Sequence, residues 1–393
     1  MRFIGIDVGS DKHFLAIVDE AGKVIRKPTP ITEDAKGYET LSALLGEPAD
    51  AFVAMEATGH YWRNLFAFLH GRGFPVVLLN PARTANFAKE EMRRAKTDAL
   101  DALGIARFAQ QKRPEATQLP DEATLELREM VRLRSRLMQD LGDRTRQLHR
   151  SLDLTFPEFT RHVRDLTSYV ATAILAQYPT GKALRHAKLR KLAELKTDGK
   201  RVVGEALAQA LWDAAQKTVG GQHGPSIELQ VRYACEDIAT LRSRIAKLDK
   251  DIRAAVDRHE IGRLLTTIDG VGDTTAALMI SVVDLARVRS ARQLAAYMGI
   301  TPNVKRSGKT QPERGPICRV GNATLRQKLW MPTLCGVIHN SWLKAFYDRL
   351  VAAGKPPKVA MIAAMRKLLA AMVSVARTRK PFEVRLADVP KEA

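Results

Sequence analysis

Short apolar runs alternate with helical patterns through the first part of the chain. Runs of strand length are RFIGIDVG, HFLAIVDE, AFVAMEATG and PVVLLN, and a return strand lies near VIRKPTPI. Helical patterns begin at about Thr32 and at HYWRNLFAFLHGRG. Strands that alternate with helices predict an α/β domain.

The connections between the first strands refine this prediction. The first two strands join through GSDK, and a hairpin follows at residues 20–23. The sheet is therefore predicted to start antiparallel and to continue with βα units. That order fits a ribonuclease H-like fold better than a purely doubly wound sheet.

After residues 112–114 the pattern changes to long, charged helices. One is predicted over residues 121–154, and a second carries apolar residues at the heptad spacing of a coiled coil. The residues of this seam are Val231, Ala234, Ile238, Leu241, Ile245, Leu248 and Ile252. The seam can close within one chain as an antiparallel pair or between chains as a dimer arm. A role in assembly is our preferred interpretation, and an intrachain pair is the close alternative.

Residues 156–225, between the two long helices, are predicted to form a small helical insert. Their run KALRHAKLRKLAELKTDGKR is basic. Such a run is usually a solvated helix face, and contact with nucleic acid is a secondary hypothesis for it.

The net charge of the chain indicates the kind of molecule that it binds. The 393 residues include 63 Lys and Arg against 43 Asp and Glu, which gives a net charge of +20. A field of this sign attracts phosphate backbones, so nucleic acid is the expected partner. A ribosome-associated or merely basic soluble protein remains an alternative. At this length, two or three domains are expected.

Apolar stretches and cysteines indicate the compartment. No uninterrupted apolar stretch approaches the roughly 20 residues of a membrane-spanning helix. The N-terminus lacks the pattern of a signal peptide. Cys235, Cys318 and Cys335 lack the close spacing of a zinc or redox motif. We therefore predict a cytoplasmic protein with reduced thiols and no membrane partner.

Four carboxylates in the α/β part are the strongest candidates for chemistry. Asp7 and Glu56 each end an apolar run, where an unpaired carboxylate is costly without a cation or a hydrogen-bond donor. Asp98 and Asp101 are spaced i, i+3 and can project from one helix face, although Thr97 can cap that helix and acidic residues favour a first turn. Converging carboxylates are what Mg²⁺ ions need in phosphoryl chemistry, so the four residues are predicted to form a metal site.

Two features of the last third are candidates for contact with phosphates. Gly270 and Gly272 form a turn before a helix that resembles a helix-hairpin-helix, where backbone amides can bind a phosphate. An ordinary glycine turn between packed helices is the alternative. Residues 287–328 form a basic, loop-like region with ten Lys or Arg and one acidic residue. The contacts predicted in it are Lys305, Arg306, Lys309, Arg314 and Arg319.

Ser307 lies in this region between cations and a glycine. A nucleophilic serine needs an activated hydroxyl and neutralised phosphate charge, for which nearby cations are available. No histidine adjoins Ser307, so any base must come from elsewhere. The residues alone make it a weak candidate.

A competing interpretation starts from IGIDVGSDKH, which also resembles the first phosphate loop of sugar kinases and actin-like ATPases. Those folds need a second Asp-x-Gly phosphate motif and a glycine-rich adenosine site, and neither is clear in the sequence.

Read together, several motifs resemble one family, the Asp-Glu-Asp-Asp insertion-sequence transposases, which are similar to the Piv invertase and to bridge-RNA-guided recombinases. The motifs are GIDVG, MEATGHYW, LLNPARTANFAK, KTDALDA, the GVG turn, YMGITPNVKRSGK and GKPPKVAMIAAMRKLL. The resemblance spans nearly the whole chain, is most specific at KTDALDA and ITPNVKRSGK, and is weakest across residues 156–225.

The resemblance implies three domains. They are a RuvC-like catalytic domain over residues 1–118, a coiled-coil arm with the helical insert over residues 119–256, and a mostly helical transposase domain over residues 257–393. It further implies Mg²⁺ at Asp7, Glu56, Asp98 and Asp101. Ser307 is the implied nucleophile, which forms a covalent link to DNA. The sequence departs from the family at residues 309–313, which read KTQPE where a serine-rich stretch is expected.

The implied partners are double-stranded donor and target DNA, a structured noncoding RNA that pairs with both, and further copies of the chain in a dimer and a tetramer. In the tetramer, the acidic tetrad of one protomer faces the serine of another. Two alternative functions remain: a RuvC-like junction nuclease that uses metal-activated water, and a non-catalytic nucleic-acid-binding protein.

Overall fold

The computed structural model describes residues 1–92, 97–199, 201–305, 313–318 and 320–384. The chain divides into two compact units, Met1–Leu119 and Pro120–Ala393.

The first unit is built on a mixed five-stranded sheet. Its strands are β1 (Arg2–Asp7), β2 (Lys12–Val18), β3 (Val24–Thr32), β4 (Ala51–Glu56) and β5 (Val76–Leu79). Their order is β3-β2-β1-β4-β5. The first three strands pair antiparallel, whereas β4 pairs parallel to β1 and β5 parallel to β4. The predicted antiparallel start followed by βα units is confirmed.

Helices cover both faces of this sheet. They are α1 (Ala35–Leu45), α2 (Trp62–Gly71), α3 (Pro81–Glu90) and α4 (Asp98–Lys112). Alternation along β1 explains the two cores, because Ile4 and Ile6 pack with α1 and α2 while Phe3 packs with α3 and α4. The α/β character predicted for this part of the chain is therefore confirmed.

The helix predicted from about Thr32 begins three residues later. Thr32 still pairs with Lys12 in the β2–β3 ladder. Asp34 then caps α1 by accepting a hydrogen bond from the amide of Gly37 at 2.7 Å. The cap fixes the helix start at Ala35.

Two long helices organise the second unit, α5 (Glu122–Thr155) and α11 (Pro225–Arg258). They run antiparallel, because Arg134 pairs with Asp249 at 2.5 Å and Arg144 pairs with Asp237 at 3.0 Å. The heptad seam of α11 is buried within the chain. This is the intrachain alternative, and it leaves the seam without an apolar surface to offer a second chain.

The insert between these helices is helical, as predicted. It consists of α6 (Phe159–His162), α7 (Tyr169–Gln177), α8 (Gly181–Arg185), α9 (Leu189–Ala193) and α10 (Glu205–Gln216). Its core includes residues from the adjoining ends of both long helices, among them Leu148 and Val231.

The other end of the helix pair packs on a separate core made by the last part of the chain. Its helices are α12 (Glu260–Leu265), α13 (Asp273–Val282), α14 (Ala291–Tyr297), α15 (Ala323–Lys328), α16 (Trp330–His339), α17 (Ser341–Ala352) and α18 (Pro357–Thr378). The strands β6 (Pro302–Lys305) and β7 (Glu313–Ile317) pair antiparallel. The described residues of the region predicted to be loop-like, 287–328, thus include two helices and these strands.

Among the described helices, α18 alone is long and apolar enough to cross a membrane. Its most apolar window is 61% buried inside the fold, as expected of a core helix. Arg366 and Lys367 interrupt it, which is why the sequence shows no continuous apolar stretch of that length.

Candidate active site at one edge of the sheet

Asp7 and Glu56 lie at the carboxyl ends of neighbouring parallel strands. Asp7 ends β1 and Glu56 ends β4, and Ile6 pairs with Met55 immediately before them. Side chains alternate along a strand, so both carboxylates project on the face that carries α3 and α4. The register thus places two predicted site residues side by side.

Glu56 is held by two threonines. Its Oε1 accepts a hydrogen bond from the hydroxyl of Thr58 at 2.9 Å, and its Oε2 accepts one from Thr84, in α3, at 2.7 Å. These two donors fix the position of the half-buried carboxyl group. Sequence reasoning missed both threonines, and only Thr58, two residues beyond Glu56, is close enough in sequence to suggest its role.

Helix α4 brings the other two carboxylates to the same edge. It lies directly on Gly5, where a Cβ would come within 2.2 Å of the Ala102 carbonyl oxygen. Arg113, at the end of α4, places its guanidinium carbon 5.6 Å from the centre of the Phe3 ring, near the start of β1. The helix therefore runs antiparallel to β1 and begins where Asp7 ends it.

The first turn of α4 contains Asp98 and Asp101, as the sequence predicts. Thr97 caps the helix, with its hydroxyl accepting a hydrogen bond from the amide of Leu100 at 3.3 Å, so the predicted cap is confirmed. Asp98 is exposed and Asp101 is half-buried. Acidic residues are favoured in the first turn of a helix, because the N-terminus carries partial positive charge.

The donor set at this edge suits a hard divalent cation. Mg²⁺ prefers oxygen ligands and is usually held by a few carboxylates together with substrate phosphates. Within the part of the chain that the structure describes, no three His, Cys, Asp or Glu side chains stand together as a formed metal site. Of the four predicted carboxylates, the sheet register sets Asp7 and Glu56 side by side, and Asp98 and Asp101 lie in the first turn of α4. Asp7, Glu56, Asp98 and Asp101 are the residues that would hold the cation.

A second polar cluster lies on the opposite face of the sheet. His13 is buried, and its Nε2 lies 2.5 Å from Oε2 of Glu33. Glu33 also accepts hydrogen bonds from the hydroxyl of Tyr38 at 2.7 Å and from the amide of Asn64 at 3.0 Å. The cluster ties the start of β2 to α1 and α2, next to the edge that carries Asp7.

Glu33 is ionised more readily in the fold than in free solution. Partial burial acts to raise its pKa, but hydrogen bonds from Tyr38, His13 and Asn64 outweigh burial and hold the pKa below the ordinary value of 4.5. Burial and the bond to Glu33 raise the pKa of Tyr38, so its hydroxyl stays a donor.

We expect Glu33→Gln to destabilise the first unit by about 1–3 kcal/mol at neutral pH, because three donors lose an ionised acceptor. A carboxyl with a depressed folded-state pKa adds stability above its unfolded pKa and loses it as pH falls through the folded pKa. The difference from wild type should therefore shrink below about pH 4.5. Urea unfolding at a series of pH values measures it. Glu39→Gln, on the exposed side of α1, is the matched control and should have little effect at any pH.

The serine nucleophile predicted from the sequence lies outside the described residues. Arg306, Ser307 and Lys309 belong to the segment that joins β6 to β7, and Arg319 follows β7. Lys305 is the last residue of β6, and Arg314 is the second residue of β7. In the ladder between these strands, Val304 pairs with Arg314.

The glycine turn before α13 gives its two glycines different surroundings. Gly270 has φ of +96°, and a Cβ there would lie 2.7 Å from the backbone of Gly336 in α16. Its lack of a side chain is explained by close helix packing and by a left-handed backbone. Gly272 is exposed at the N-cap of α13, with Asp273 in the first turn. Phosphate binding here stays a prediction.

Comparisons with known proteins identify the family of the chain. Residues 4–157 match a family model described as a transposase of the DEDD IS110 type, and residues 262–348 match a model of the IS116/IS110/IS902 transposase family. The first match contains all four carboxylates, and the second contains Ser307.

Curated relatives cover most of the chain. A protein of insertion element IS110 from Streptomyces coelicolor is 26% identical, over 98% of this chain and 96% of its own. The pilin gene-inverting protein of Moraxella bovis is 24% identical, over 86% and 83%. The transposase for insertion sequence element IS1111A from Coxiella burnetii is 23% identical, over 89% and 84%. The chain belongs to the IS116/IS110/IS902 family of transposases.

Proposed function

We propose that this protein cuts and rejoins the DNA of an insertion sequence by means of the acidic edge of its first unit and the hydroxyl of Ser307. Membership of the family makes it a DNA recombinase or transposase. The observation that carries the proposal is the placement of Asp7 and Glu56 at adjacent strand ends that face the first turn of α4.

A ribonuclease H-like, RuvC-like fold for the catalytic domain accords with the sheet. Three antiparallel strands are followed by two parallel ones in the order β3-β2-β1-β4-β5. We assign the catalytic domain to residues 1–118, the helical arm with its insert to residues 119–256, and the transposase domain to residues 257–393.

In the proposed reaction the oxygen of Ser307 attacks a DNA phosphodiester. The serine hydroxyl gives up its proton as its oxygen bonds to phosphorus, the bond to one deoxyribose oxygen breaks, and the departing oxygen takes up a proton, so the step consumes no net proton. Attack by a different strand end on the phosphoserine link reverses these changes and rejoins the DNA. Arg306, Lys309 and Arg314 neutralise phosphate charge. A bound Mg²⁺ ion would add positive charge at the same phosphate, held by Asp7, Glu56, Asp98 and Asp101.

The partners are proposed on the same basis. Double-stranded donor and target DNA suit the net charge of +20, and a structured noncoding RNA would select the sites by base pairing. A tetramer would let the acidic edge of one protomer meet the serine of another. The cytoplasm is the proposed compartment. The relatives bear names of both transposases and a gene-inverting protein, so both outcomes of strand exchange are open to this chain.

Ser307→Ala is expected to abolish recombination and to remove the covalent protein–DNA adduct. Without the hydroxyl no phosphoserine bond can form, and activity should fall by at least about a thousandfold. Denaturing gels of the protein mixed with labelled cognate DNA ends measure the adduct. Ser226→Ala, at an exposed position in α11, is the control and should retain it.

The same experiment separates the alternatives. A Ser307→Ala protein that still cuts DNA without any adduct would indicate a junction nuclease that uses water. Metal-independent DNA binding by wild-type protein, with no cleavage of any substrate, would indicate a non-catalytic binding protein.

A further inference from the structure

A cleft with a cationic rim lies among α14, α17 and α18. It has a volume of about 320 Å³ and is lined by Ala291, Arg292, Phe346, Ala363, Arg366 and Lys367. Among the described residues the lining therefore combines three cations with an apolar floor and includes no carboxylate.

The cations of α18 lie in an unusual place. Ala363, Arg366 and Lys367 share one face through i, i+3 and i+4 spacing, while the adjacent Met365 and Leu368 are buried in the core. Arg366 is exposed on this face, and the ammonium group of Lys367 packs over two aromatic rings. A negatively charged ligand at this face would meet both cations.

Aromatic rings fix the rim of the cleft. The Lys367 ammonium lies 4.0 Å from the centre of the Trp342 ring and 4.6 Å from that of Phe346. Cation–π attraction of this kind reduces the freedom of a long side chain and holds its charge in one place. Arg349 lies over the same Phe346 ring at 5.4 Å.

The two arginines of the rim are available to a ligand. Arg292 and Arg366 are exposed, and within the described part of the chain neither has an acidic side chain at ion-pair distance. Arginine presents a planar fork of donors that fits phosphate oxygens.

We propose that this cleft binds an unpaired nucleotide of single-stranded nucleic acid. The base lies on Ala291, Ala363 and the edge of Phe346, and the flanking phosphates meet Arg292, Arg366 and Lys367. Grooves for single strands combine aromatic surface with positive charge in this way. Ligand clefts begin at about 300 Å³, which suits one nucleotide. In a duplex the faces of the bases are stacked on one another, so only its phosphates can contact the cations at the rim of the cleft. The inference rests on the proposed function in taking nucleic acid as the partner.

Binding of labelled oligonucleotides to the full chain tests the proposal. Fluorescence anisotropy is measured with single-stranded DNA and single-stranded RNA of about ten nucleotides, within the known range of site sizes, and with a duplex of matching length. Divalent ions are omitted. We expect Phe346→Leu to weaken single-strand binding about tenfold and duplex binding less than about twofold. Arg292→Gln and Arg366→Gln should each reduce the salt slope for single strands by about 0.7.

Lys358→Ala removes one exposed charge from α18 outside the cleft and is the matched control. Equal weakening by Lys358→Ala and Arg366→Gln, or equal effects of Phe346→Leu on single strands and duplex, would overturn the proposal, since both outcomes mean a diffuse positive field. The two glutamine variants leave the core intact, so their result stands even if Phe346→Leu folds poorly. Stronger binding of either the RNA or the DNA strand supports the proposal and identifies the source of the nucleotide.

The cleft and the proposed reaction can fail separately. The binding assay needs neither a metal ion nor Ser307. A wild-type protein that binds single strands in the cleft but shows no recombination would refute the proposed reaction and leave the cleft proposal standing. Intact recombination with unchanged single-strand binding in every cleft variant would refute the cleft alone.

Discussion

Asp7→Asn is expected to lower DNA strand cleavage at least about a thousandfold while the protein stays folded and still binds DNA. The amide has nearly the shape of the carboxylate but lacks its charge. Asp7 lies beside Glu56 at the strand ends, so the change removes one of the two negative charges that the sheet itself supplies. A cation held at this edge would contribute several kcal/mol to a phosphoryl transition state, and each 1.36 kcal/mol is about tenfold in rate. Single-turnover cleavage of cognate DNA measures the loss.

Asp11→Asn is the matched control for this prediction. It makes the same chemical change four residues further on, at an exposed position in the connection between β1 and β2. It should change the cleavage rate by less than about threefold, as surface changes outside a site usually do. Near-normal cleavage by Asp7→Asn, or an equal loss in Asp11→Asn, would contradict the assignment of Asp7.

The sequence predicts the strand-end carboxylates because the signal is local. Asp7 and Glu56 each follow an apolar run, and Thr97 precedes two acidic residues at helical spacing. Each pattern extends over fewer than about ten residues, the range over which periodicity is informative. That Asp7 and Glu56 share a face depends on the parallel register of β1 and β4, which joins segments far apart in the chain.

Contacts between distant segments are the part that the sequence could not supply. Thr84 holds Glu56 from 28 residues away, and Glu33 meets both His13 and Asn64 across the layers of the first unit. No local pattern identifies such partners, because any exposed threonine or asparagine has the same appearance in a sequence. The heptad seam has the same limitation. Its periodicity shows that one face is buried, while the partner helix, α5, is known only from the fold.

The packing of α4 on Gly5 is another contact between distant segments. Replacement of Gly5 has the largest expected effect on stability. The glycine lies in the middle of β1, where its absence of side chain has no local reason, and α4 packs on it. A Cβ at residue 5 would lie 2.2 Å from the carbonyl oxygen of Ala102 and 2.2 Å from the amide nitrogen of Ala106. Both atoms belong to the helix backbone, so no side chain can turn aside to relieve the overlap.

Gly5→Ala is therefore expected to destabilise the first unit by about 3 kcal/mol or more, at the upper end of what overpacking costs. Relief requires α4 to move away from β1, and the first turn of α4 carries Asp98 and Asp101 away from Asp7. Cleavage should therefore fall further than the loss of folded protein explains. Urea unfolding followed by circular dichroism measures stability, and hydrogen exchange of the β1 and α4 amides locates the change. Gly71→Ala, near the end of α2 with no atom close to the added Cβ, is the control and should be neutral or stabilising by up to about 1 kcal/mol. An unchanged unfolding midpoint for Gly5→Ala would mean that α4 can leave β1 without cost, and the acidic edge would then not depend on this packing.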